Sequence, residues 1–130
     1  MNKTDIATRA DIEKLIATFY EKVKQDDLLA IIFTEVVQVH WEEHTPIIVD
    51  FWQTVLLDAD LYHKNAMEPH FAINQLYPLQ HQHFERWLQL FFGTVDQFFE
   101  GPVAQLAKTR ARGVAAIMEI KMNQINQPKP

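Results

Sequence analysis

The chain contains no cysteine. That absence removes disulfides, thiolate zinc sites, iron–sulfur clusters and cysteine nucleophiles together, and leaves nitrogen, oxygen and thioether sulfur as the available metal donors. Glycine is nearly as scarce. Its three occurrences, Gly93, Gly101 and Gly113, form no phosphate-cradling pattern, so phosphate-loop and dinucleotide folds are excluded. No apolar run approaches the roughly 18 residues of a membrane span, and the opening Met1-Asn2-Lys3-Thr4-Asp5 leads into no signal-like apolar core. A cytoplasmic protein without a membrane partner is the expectation. Basic blocks are missing too. Twelve Lys and Arg against seventeen Asp and Glu give a net charge of -5, with no cationic stripe to track a phosphate backbone, so nucleic acid is not an expected partner.

What remains is an apolar, aromatic, helix-periodic chain. Hydrophobic residues make up 48% and charged residues 22% of 130 positions, which suits one globular domain with a real core. Ile12, Leu15, Ile16, Phe19 and Val23 repeat at three and four, and Thr8 with Asp11 has the spacing of a capping box with Asp in place of the usual Glu. A first helix from about Thr8 to Lys24 follows. Asp26-Asp27 loosens the chain, and Leu28, Leu29, Ile31, Ile32 and Phe33 read as a short apolar helical corner.

Trp41, His44, Ile48, Phe51, Trp52, Val55 and Leu56 define a second long element. Thr45 as cap and Pro46 as first helical residue would accommodate the proline, leaving His44 just outside the regular helix. A third stripe runs from about Leu79 to Phe99, Gly101-Pro102 divides it from a fourth helix at about Val103 to Met122, and the tail 124–130 and the N-terminus are expected to fray. The expectation is a single all-α domain over 1–130, without repeats or linkers.

The histidines raise the question of chemistry. His44 and His70 flank the run Phe51-Trp52, Tyr20 lies beside Phe19 on the first stripe, and Trp87 lies on the third. His70 follows Pro69, at a constrained corner from which a ring can reach inward. A neutral imidazole is a good iron ligand, and Phe, Trp, Leu and Ile supply the apolar area that a flat haem needs. Tyr20, Trp87 and His44 can each donate a hydrogen bond to something bound on the iron. Two other readings stand beside this one. His40-Trp41-Glu42-Glu43-His44 fits the H-x-x-E-H pattern of zinc peptidases, though Pro46 interrupts it at once and no third ligand is evident. A cofactor-free helical module whose aromatic face binds another protein needs only the core.

The chain resembles the truncated haemoglobins, and among them the third group, from about Ile12 to Met118. The resemblance rests on Phe19-Tyr20-Glu21-Lys22-Val23, Ile32-Phe33, Trp41-Glu42-Glu43-His44, Phe51-Trp52, Tyr62, Pro69-His70, His83-Phe84-Glu85-Arg86-Trp87-Leu88 and Arg110-Ala111. It implies a globin-like, two-over-two helical fold around haem b, iron protoporphyrin IX. Carried over by position, His70 is the proximal iron ligand, Tyr20 and Trp87 are distal hydrogen-bonding residues, His44 is the distal histidine, and Phe33 packs against the porphyrin. Trp52 is core that also touches the cofactor.

The implied function is reversible binding or transport of dioxygen, with carbon monoxide, nitric oxide or peroxide as related ligands. The alternative is a redox enzyme acting on nitric oxide, peroxide or dioxygen with an external reductase. Two departures from the family pattern stand out. Pro46 follows His44 closely, and Tyr62-His63-Lys64-Asn65 lacks the glycine usual after the tyrosine.

Overall fold

A computed structural model describes residues 3–30, 41–57 and 80–126, with backbone alone at 41–44 and 125–126. Four helices order these residues: α1 (Arg9–Gln25), α2 (Trp41–Leu57), α3 (His81–Phe98) and α4 (Pro102–Asn126). Helix α1 packs on α2 and α3, and α4 packs on α3 and α2. The short corner expected at 28–33 falls largely outside the described residues, after a turn at 27–29.

Helix α1 begins as its sequence specifies. The Thr8 hydroxyl accepts from the Asp11 amide at 3.2 Å, and the Asp11 carboxylate accepts from the amides of Thr8 at 3.0 Å and Ala7 at 2.9 Å. The shorter Asp thus closes the box normally made by Glu, satisfying amide donors that no helical carbonyl can reach, an arrangement worth about 1 kcal/mol. At the other end the Asp26 amide bonds back to Val23 at 3.2 Å. The buried Asp26 carboxylate accepts from the amides of Leu28 at 3.1 Å and Leu29 at 3.0 Å and from Arg86 Nε at 2.5 Å. The turn after α1 is thereby tied to α3.

The start of α2 differs from the expectation. The helix begins at Trp41, with Pro46 inside it, so His44 lies within the regular helix and not before it. Pro46 is close enough to the N-terminus that its missing amide removes a bond only from the second turn, while the stripe that continues through Val49, Trp52 and Leu56 still has its whole length to bury. Three residues of that stripe are buried. Arg9 secures α2 to α1 through Asp50 and Gln53, both at 2.8 Å.

The N-terminal segment, expected to fray, is pinned at residues 4–6. Thr4 bridges to Phe99, Ile6 is fully buried, and the Asp5 carboxylate accepts from the amides of Val103 at 3.0 Å and Ala104 at 2.8 Å. Asp5 therefore caps α4 from the far end of the sequence, and the partial positive charge of that helix end favours the anion. Partial burial acts against its ionisation, but the bonds from Val103, Ala104 and Ile6 prevail and hold its pKa below the ordinary Asp value. Gly101 makes the approach possible. Its φ is +143°, and a Cβ there would lie 2.6 Å from the Asp5 Cγ. Pro102 opens α4, as the sequence suggests, and the helix continues to Asn126, past the expected start of the tail at 124.

The core lies where the four apolar faces meet. Ile12, Leu15, Ile16 and Phe19 come from α1, Val49 and Trp52 from α2, Phe91 and Val95 from α3, and Ala104, Ala107, Ala111 and Ala115 from α4. The alanines leave room for large rings opposite. Full burial of each such phenylalanine contributes up to about 3 kcal/mol before entropy is counted.

Candidate functional site

Adjacent positions on a helix diverge by about a quarter turn or more, and α1 uses that divergence at Phe19 and Tyr20. Phe19 enters the core at 1% exposure, whereas Tyr20 sits half-buried at its rim. Their rings meet edge to face at 4.8 Å. On α3, Trp87 and Phe91 are four residues apart and share a face. Their rings stack at 5.6 Å and 11°, and Trp87 also meets Phe19 edge to face at 5.6 Å. The Trp87 indole lies close enough to the Tyr20 side chain to act on its titration as a hydrogen-bond donor. An indole nitrogen only donates, so in this pairing the tyrosine oxygen is the acceptor.

Burial pushes the Tyr20 pKa up to about 12, the bond from Trp87 pulling slightly the other way. Near neutral pH the group is a phenol and hence a donor. The pair therefore presents a phenol and an indole at the edge of an apolar interior, an arrangement suited to a small polar ligand held against a hydrophobic surface.

Trp52 enters the same cluster from α2. It is 3% exposed and stacks on Phe91 at 4.9 Å and 23°, so the phenyl ring of Phe91 joins the two indoles. Phe51, half-buried, meets Trp52 edge to face. Of the expected site residues, the structure brings Tyr20, Trp87 and Trp52 into one cluster. Phe33 and His70 lie outside the described residues, as do His40, Tyr62, His63 and Lys64, and His44 is placed by its backbone in α2. Among the described residues, no group of three or more His, Asp and Glu side chains is placed to hold a metal.

Two histidines of uncertain use in the sequence take structural roles. His83 is buried, its Nδ1 accepts from the Gln80 amide at 2.9 Å, and burial lowers its pKa below the usual histidine value. His81 is exposed and joins Glu119 of α4 at 2.8 Å and Glu85 at 3.0 Å, and both carboxylates raise its pKa. Sequence reasoning missed Phe91 as the joint between Trp87 and Trp52. Helical spacing puts Phe91 on the stripe but cannot show which of its phenylalanines faces another helix's indole. A separate cleft of about 430 Å³ lies between α1 and α2, lined by Arg9, Glu13, Ala17, Thr45, Pro46 and Val49. It shares no lining residue with the Tyr20–Trp87 pair.

No family model matches the chain. A curated protein named group 3 truncated hemoglobin ctb, from Campylobacter jejuni, is 29% identical over 117 residues, which is 88% of this chain and 90% of that one. The crystal structure of a group III truncated hemoglobin from Campylobacter jejuni superposes with a TM-score of 0.82 at 26% identity, over 98% of this chain and 100% of that chain.

Proposed function

Because the chain is a homologue of a group 3 truncated haemoglobin over most of its length and takes the same globin fold, we propose that it binds haem b and, at the haem iron, dioxygen or a related diatomic gas. The observation that carries the proposal is the Tyr20–Trp87 pair, an oriented phenol and indole at the rim of a cluster of stacked rings. Those residues fit the group. Haem is a flat, largely apolar body, and the cluster offers apolar area together with the Tyr20 hydroxyl toward a polar ligand. His70 would be the proximal ligand, Phe33 and Trp52 would touch the macrocycle, and His44 would lie on the distal side.

Bound haem would supply an iron that coordinates the gas. The chain would supply the rest: Trp87 orients Tyr20, the phenol proton stays on its oxygen near neutral pH, and the apolar wall excludes water. A polar, charge-separated ligand gains more from the Tyr20 hydroxyl than carbon monoxide does. We place the protein in the cytoplasm, with dioxygen, carbon monoxide, nitric oxide and peroxide as its small-molecule partners. Redox turnover with an external reductase is the second reading, favoured by the oxidisable rings in contact around Phe91.

The test is a visible absorption spectrum of haem-reconstituted protein beside His70→Ala. The parent should bind haem and show a ferrous spectrum that changes with carbon monoxide, and the variant should lose affinity and change spectrum. An unaltered five-coordinate ferrous spectrum in His70→Ala, without added imidazole, would reject the assignment.

A further inference from the structure

Ile117 and Ile120, 52% and 59% exposed, are the only exposed large hydrophobic side chains among the described residues, and both stand on the outer side of α4. Among the same residues every Lys and Arg but two is engaged by a carboxylate, a carbonyl or amide oxygen, or an aromatic ring. The two exceptions are Arg110 and Lys121, and they flank the isoleucines. Arg110 precedes Ile117 by two turns and Lys121 follows it by one, so these three side chains line up along about 16 Å of helix, with Ile120 beside them. Gly113 lies on the same face, and a Cβ there would meet nothing within 4 Å. A partner can approach the α4 backbone closely at that point.

We propose that this face docks an acidic amphipathic helix of another protein, with apolar residues on Ile117 and Ile120 and carboxylates on Arg110 and Lys121. Charge selects the occupant. Helix α4 carries Lys108, Arg110, Arg112 and Lys121 against one carboxylate, Glu119, which is turned to His81, so its charge is +3 in a chain of net -5. A second copy packed α4 on α4 would set these cations against each other with no free carboxylate between them. A lipid surface would present its anions to the acidic parts of the molecule as well, and two isoleucines insert less apolar surface than a single acyl chain, which anchors only marginally. A helix is narrow enough to meet α4 alone, and its ridges fit beside the low point at Gly113. Nothing in this surface depends on haem.

The test titrates the full chain into a fluorescent helical peptide with leucines at three- and four-residue spacing and glutamates on both flanks, beside a counterpart with glutamine for glutamate. The parent should bind the acidic peptide, less tightly as salt rises, and the glutamine peptide about tenfold more weakly. Arg110→Gln with Lys121→Gln should weaken the acidic peptide by about tenfold, and Ile117→Ser with Ile120→Ser by about as much. Because all four side chains are exposed, both double variants should keep the parent's unfolding midpoint to within a few degrees. Gly113→Gln fills the low point with a better helix former, so it should raise the unfolding midpoint and still weaken the peptide.

No binding of the acidic peptide, equal binding of the two peptides, or binding that survives both double variants would each overturn the docking surface. Two further measurements decide against the other occupants. Sedimentation that shows a dimer at micromolar chain, dissolved by Ile117→Ser with Ile120→Ser, would assign the face to a second copy and overturn the proposal. Flotation with vesicles of phosphatidylcholine and phosphatidylglycerol in equal parts, lost in Arg110→Gln with Lys121→Gln, would assign it to lipid and do the same. A monomer that stays off the vesicles and binds the acidic peptide through these four residues is the expected result.

Discussion

Replacing Gly101 with alanine should cost far more than a surface substitution between helices ordinarily does. Two effects act together. The backbone at position 101 has a φ of +143°, which L residues rarely adopt, and the new Cβ would sit 2.6 Å from Cγ and 2.8 Å from Cβ of Asp5. Those atoms are not the end of a long flexible chain but the carboxylate that caps α4, so relief of the clash would break the bonds to Val103 and Ala104. Backbone strain of about 1–3 kcal/mol and a cap worth about 1 kcal/mol give an expected loss of about 2–4 kcal/mol. Thermal and urea unfolding of the haem-free chain would measure it, with a fall in midpoint on the order of 10 °C.

The double variant is the sharper test. Asp5→Ala alone should cost about 1 kcal/mol. If alanine at 101 acts partly by displacing Asp5, the pair together should cost about 1 kcal/mol less than the sum of the single changes. A Gly101→Ala midpoint within error of the parent, or strict additivity in the double variant, would refute the reasoning.

Tyr20→Phe keeps the ring and deletes the donor, so dioxygen release, followed by stopped-flow mixing with carbon monoxide, should accelerate about tenfold to a hundredfold, the equivalent of a bond of about 1.5–3 kcal/mol. Carbon monoxide release should change much less. Asp26→Ala deprives Leu28 and Leu29 of their acceptor and Arg86 of its partner. Because Arg86 is itself half-exposed, the expected loss is about 1–3 kcal/mol by urea unfolding, and Arg86→Ala should cost less. The His81 clasp has a definite sign with pH. Its folded pKa is raised by Glu119 and Glu85, so its stabilisation is fully present below the unfolded value near 6.5 and is lost as pH rises through the folded value. The stability gap between parent and His81→Gln should therefore be wider at about pH 5.5 than at about pH 9; a gap that widens with pH would contradict the clasp.

Local signals were legible because they are local. The Thr8–Asp11 box lies within one turn, the apolar stripe from Ile12 to Val23 is set by helical spacing, and Gly101-Pro102 marks a boundary whatever surrounds it. Tyr20 and Trp87 could be named, but their meeting depends on the approach of α1 to α3, which no local pattern encodes. Phe91 was hidden for a related reason: Phe84, Phe91, Phe92, Phe98 and Phe99 are chemically alike, and only tertiary contact singles one out. Asp5 read as part of a fraying end because its partners lie 98 and 99 positions away. Pro46 misled because a proline near a helix start suggests a boundary, whereas the long apolar face beyond it offset a lost bond in the second turn. His44 consequently belongs to the helix and does not precede it.

Phe91 also bears on how the molecule comes apart. The same ring touches Phe19 of α1, Trp52 of α2 and Trp87 of its own helix, so none of these three helices can separate from the others without disturbing it. Small openings that admit a ligand have to take place around Phe91, and an opening that dislodges it breaks the contacts of α3 with α1 and α2 at once. Amide protons near its turn of α3 should thus exchange only through near-global unfolding, while those at the exposed C-terminal end of α4 exchange through local fraying.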